Sequence, residues 1–183
     1  MNKFNGFSLI EILIVIAILI TVLLVVLPQF KSFGEQERLK NGALELESHL
    51  RSAQNLAQSG ARCDSANQAS FWVLRFLSGS QAQIKAACPL AETVVKSLTL
   101  TIPVSKITLF PANCELGNGS TLSGTGIKFA NISAKVDFDT NNLGSGCSLS
   151  QIASATRAEL EVTLSLNSSK KVMIEKGGKI YVQ

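Results

Sequence analysis

The chain has 183 residues, one histidine, four cysteines and a formal net charge of +4. That length allows one small domain with an anchoring element and leaves no room for two full domains. A single histidine, His49, leaves little raw material for a histidine-based metal site or catalytic triad. The mild positive charge permits an acidic partner without demanding one.

The first element is an apolar run over residues 7–27, closed by Pro28, in which Glu11 is the only charged residue. About 21 apolar residues are enough to cross a bilayer as a helix. A cleaved secretory signal would place a small residue after the run. Here Gly6 precedes it, and Leu-Pro-Gln-Phe-Lys follows. A plain signal anchor accounts for the length and for Lys3 on the cytoplasmic side. It does not account for Glu11, because a carboxylate this deep in an apolar helix costs a few kcal/mol, about 2.5–3.5 on insertion scales.

Gly6-Phe7-Ser8-Leu9-Ile10-Glu11 resembles the processing site of type IV prepilins and type II secretion pseudopilins. The resemblance implies cleavage between Gly6 and Phe7 by a prepilin peptidase, followed by methylation of the Phe7 amine by the same enzyme. It puts Glu11 at the family's acidic position and Pro28 at its helix-bending proline. It also implies an inner-membrane precursor, with the head on the periplasmic side, that joins other pilin or pseudopilin subunits in a filament. Removing the first six residues takes away Lys3 and leaves a charge of +3. An unpaired ammonium at Phe7 and an unpaired carboxylate at Glu11 are each costly in apolar surroundings. Pairing Glu11 with the Phe7 amine of a neighbouring subunit neutralises both and fixes axial register.

Pro28 lacks an N–H, so a kink or a local melting of the helix is expected there. Over 28–61, Leu39, Ala43, Leu46, Leu50, Ala53 and Ala57 recur at alternating four- and three-residue steps, giving one apolar stripe on an amphipathic helix. Glu35, Glu37, Arg38, Lys40, Glu45, Glu47 and Arg51 fall on the solvated face. Gly34 and Gly42 weaken the helix, and Ser59-Gly60 stops it.

From residue 62 onward the pattern shortens to alternating runs. Strands are expected at 70–76, 83–87, 94–101, 106–110, 126–131, 134–139, 159–166, 171–176 and 179–183. Leu77-Ser78-Gly79-Ser80, Asn167-Ser168-Ser169 and Gly177-Gly178 read as turns. Residues 115–124 and 141–150 read as exposed loops, with a short helix around 149–156. The expected fold is α+β: a 1–6 leader, a 7–27 membrane or filament-core helix, its 28–61 amphipathic continuation, and a 62–183 head whose antiparallel β-sheet packs on that helix.

Cys63, Cys88, Cys114 and Cys147 contain no CxxC pair, and an even number behind a membrane segment favours two disulfides in an oxidising compartment. Three pairings are open; adjacency in a hairpin-rich chain favours Cys63–Cys88 with Cys114–Cys147. No cofactor motif, metal cluster or catalytic set stands out, so the expectation is a structural protein rather than an enzyme. Asp137 and Asp139 share a strand face, where a solvated strand edge is a better reading than a cation site. Leu50-Arg51-Ser52-Ala53-Gln54-Asn55-Leu56-Ala57 and the terminal hairpin are similar to features of minor subunits of the H-type pseudopilin and FimT pilin kinds. Some of the latter bind DNA through a basic tip. That resemblance makes Lys170, Lys171, Lys176 and Lys179 candidate DNA-binding residues, against the plain reading of edge-strand lysines that aid solubility.

Overall fold

The structure, a computed structural model, describes residues 9–63, 67–89, 91–133, 135–140, 146–165 and 168–183. The chain divides into two units, one ending at Arg38 and the other running Leu39–Gln183. Helix α1, Leu9–Gln58, contributes to both. It continues through position 28 instead of melting there. Proline removes one backbone donor and leaves the remaining helical bonds to form.

In the second unit the apolar stripe is the buried one: Leu39, Ala43, Leu46, Leu50, Ala53 and Ala57 are each at most 2% exposed. The opposite face is less uniformly solvated than the sequence suggests. Glu45 accepts a hydrogen bond from the Thr101 N–H at 3.1 Å, and Glu47 pairs with Arg51 at 2.6 Å. The helix closes on Gly60 at φ +64°, with Gly60 N–H to Ala57 O and Ala61 N–H to Leu56 O. These bonds satisfy carbonyls that the last turn would otherwise leave open, and the left-handed position suits glycine.

Ten strands follow: β1 Phe71–Phe76, β2 Gln81–Ala87, β3 Glu92–Thr99, β4 Val104–Phe110, β5 Cys114–Asn118, β6 Thr125–Ala130, β7 Val136–Thr140, β8 Arg157–Ser165, β9 Ser168–Glu175 and β10 Ile180–Val182, with α2 at Leu149–Ser154. They form two five-stranded antiparallel sheets, β3-β2-β1-β6-β7 and β10-β9-β8-β4-β5, where the sequence suggested one. Alternation along a strand says which side is buried but not which sheet the strand joins. The inner faces and the α1 stripe meet in one core that includes Trp72, Leu74, Phe129, Leu109, Leu160 and Ile174. Main-chain bonds also tie the sheets, from Val136 N–H to Lys176 O at 3.0 Å and from Val104 N–H to Gly79 O at 2.8 Å.

Three further expectations change. Residues 115–124 are not an exposed loop: they contain most of β5 and a 3-10 turn, Gly119–Leu122, with Leu116 and Leu122 fully buried. Ser168 and Ser169 belong to β9, opposite Ser165 and Thr163. Their expected turn partner Asn167 lies outside the described residues, as do 141–145 of the second expected loop. Within that loop Cys147 is buried at 8% exposure, held by its disulfide.

Candidate functional site

In the first unit, Leu9–Val26 is long and apolar enough to cross a membrane. Its large side chains stand bare in the single chain, from Leu9 at 77% exposed to Val26 at 38%. Such a surface is stable only in lipid or against other apolar helices. Two polar residues interrupt it. Thr21 satisfies itself by donating to Ile18 O at 2.8 Å. Glu11 lies in a shallow depression with Ile12, Val15 and Ile16, one face of the helix. The carboxylate is thus set in an otherwise aliphatic surface. Gly6 and Phe7 lie outside the described residues, and so does the side chain of Pro28.

The comparisons with known proteins bear on this segment. The family model of the prokaryotic N-terminal methylation motif matches residues 1–27. The match covers the N-terminal segment and none of the head. With the apolar helix, it supports membrane anchoring of this segment. No curated protein and no solved structure matches the chain.

The head carries the other candidate residues. Both disulfides form in the favoured pairing, Cys63–Cys88 with Cα atoms 5.9 Å apart and Cys114–Cys147 at 5.2 Å. The four lysines do not make one patch. Lys170 and Lys171 stand at the start of β9 and Lys176 just past its end. At about 3.4 Å per residue, Lys171 and Lys176 are roughly 17 Å apart along the strand. Lys171 pairs with Glu159 at 2.6 Å, and the hydrogen bond from that pairing raises its pKa above the usual lysine value. Lys176 donates to Ala153 O at 3.0 Å and faces Asp137 at 3.8 Å. Lys179 is exposed, with its ammonium 5.0 Å from the centre of the Tyr181 ring.

Asp139 is likewise engaged, at 3.2 Å from Arg75 and 3.1 Å from Lys128. Among the described residues no group of three or more His, Cys, Asp or Glu side chains is placed to hold a metal ion.

Sequence reasoning missed two arrangements. Arg75, 5% exposed, crosses the outer face of the first sheet and bonds Glu92 at 2.8 Å, Asp139 and the Gly124 carbonyl. A lone arginine in an apolar strand was the available signal. Gln54 of α1 donates to Gly178 O at 2.7 Å and Arg51 to Ile180 O at 3.4 Å. The helix-end motif and the terminal hairpin, separate features in the sequence, are therefore one unit in the fold.

Proposed function

We propose that the chain is a structural subunit, and a minor one, of a type IV pilus or type II secretion pseudopilus. A membrane precursor is cut between Gly6 and Phe7, Phe7 is methylated, and the helix after it moves from the bilayer into a filament core. The head stays on the extracytoplasmic side throughout. The observation that carries this reading is the exposed aliphatic surface of Leu9–Val26, interrupted by Glu11, within a segment that matches the methylation motif. In the filament, Glu11 accepts the methylated Phe7 ammonium of a neighbour. Charge pairing out of water makes a mis-registered neighbour costly, because it leaves a buried charge alone.

The test is the intact mass and N-terminal residue of the protein extracted from membranes that contain a prepilin peptidase. The expected chain starts at N-methylated Phe7. A chain still starting at Met1 would overturn the reading. A role in DNA uptake through the terminal lysines draws less support, because Lys171 and Lys176 already face carboxylates and Lys170 and Lys171 stand apart from Lys179.

A further inference from the structure

Two open sheets leave four edge strands, β3 and β7 on one and β10 and β5 on the other. Each edge is a row of main-chain groups that can recruit another chain. Three of the four are engaged from within the head. At β10 the carbonyls of Gly178 and Ile180 accept from Gln54 and Arg51 of α1. Along β5 the Cys114–Cys147 disulfide holds a neighbouring segment, and a Cβ on Gly146 would stand 3.4 Å from Glu115 O. At β7 the Val136 N–H donates to Lys176 O. The fourth, β3, is eight residues long with only Leu98 buried, and Val94 and Val95 are 46% and 52% exposed.

The hydrogen-bonding phase of β3 is fixed at both its ends. Leu100 N–H donates to Ser80 O at 2.8 Å, and Cys88 N–H to Ala91 O at 3.2 Å. Antiparallel ladders alternate bonded and non-bonded pairs. Counted along the register from each end, Thr93, Lys96 and Leu98 bond β2, and the main-chain groups of Glu92, Val94, Ser97 and Thr99 face away from it. Among the described residues no main-chain partner meets them on that side. The strand is not regular, however. Ile84 pairs with Lys96 and Lys85 with Val94, which leaves Val95 without an opposite residue. An extra residue of this kind bends its strand and sharpens the local twist. A bent, twisted edge is a poor template for a flat partner strand.

We propose that the bulge at Val95 guards β3, the exposed edge of the head, against pairing with another extended chain. Without Val95 the register from Gln81↔Thr99 to Ala87↔Glu92 runs one to one, and the outward groups at 92, 94, 97 and 99 recur at every second residue. That is the regular, partly apolar edge that strand addition needs. The inference rests on the head alone and is independent of any filament role.

The experiment compares the full-length chain with a variant lacking Val95, both in detergent over a concentration series, with hydrogen exchange resolved to single amides. Lys96 stays in the variant, so a difference reads the bulge and not the charge. In the intact chain the amides of Val94, Ser97 and Thr99 should exchange equally fast at every concentration. In the variant, Thr93 and Leu98 should keep the protection that reports pairing with β2, while the outward amides slow about tenfold or more as concentration rises. Association through the apolar helix alone would not protect these amides. To keep the test independent of how the deletion folds, the intact chain is also mixed with a synthetic peptide of residues 92–99 without Val95, and its outward amides should stay fast. Concentration- or peptide-dependent protection of those amides in the intact chain would overturn the guard. So would a variant that retains its β2 pairing and whose outward amides stay fast throughout.

Discussion

At the scale of single residues, Gly42 shows how packing overrides propensity. In a helix a glycine costs about 1 kcal/mol relative to alanine. Yet a Cβ at position 42 would meet the Cβ and Cγ1 of Ile102 at 2.9 Å, and Ile102 is itself buried. Gly42→Ala should therefore destabilise the head, by roughly 1–3 kcal/mol as overpacked sites do, instead of stabilising it; denaturant titration gives the sign. His49 offers a pH test. Its burial holds the imidazole pKa below the ordinary value of 6.5, helped by Lys96 and opposed by Glu45. A depressed pKa means that the folded state resists the proton. The neutral imidazole's contribution is present above pH 6.5 and is lost as pH falls through the folded value. His49→Gln should flatten that part of the decline between pH 7 and 5, read from thermal midpoints at each pH.

At the scale of elements, the outer face of the first sheet depends on Arg75. Its guanidinium draws Glu92 of β3 and Asp139 of β7, strands at opposite edges, toward a central strand. Removing one partner of a buried ion pair costs about 3–5 kcal/mol. Arg75→Met should cost less than that, because Lys85 still faces Glu92 and Lys128 still faces Asp139. Gln54→Ala removes a hydrogen bond worth about 1 kcal/mol and should raise hydrogen exchange in the β9–β10 hairpin ahead of the rest of its sheet. The elements that were legible in the sequence share a cause. The α1 stripe, β8 and the Gly177-Gly178 turn carry uninterrupted periodicity or obligatory turn residues. β5 was missed because Cys-Glu-Leu-Gly-Asn is short and rich in turn formers, although Cys114 and Leu116 alternate inward. The division into two sheets was hidden because it depends on which strands pair, as in β1 with β6 and β4 with β8, across long stretches of sequence.

At the scale of the whole molecule, the methylation-motif segment was legible because its signature is local: a glycine, an aromatic residue and an acid in fixed order ahead of an apolar run. Arg75 and Gln54 were not, because their partners lie far away in sequence. Glu11→Ala should leave membrane insertion intact, since it removes a charge from an apolar helix, while subunit incorporation into sheared filaments drops about tenfold or more, as loss of a buried charge pair implies. Normal incorporation of that variant would remove the pairing from the mechanism. Both sheets turn rows of matched charges outward, with Lys85, Lys128 and Arg75 against Glu92 and Asp139 on one, and Lys106 and Lys171 against Glu115 and Glu159 on the other. Their long stems lie over what would otherwise be sticky β-surface, and Val73 among them is fully covered. These two faces are therefore charged and hydrated, with little tendency to adhere to a like face.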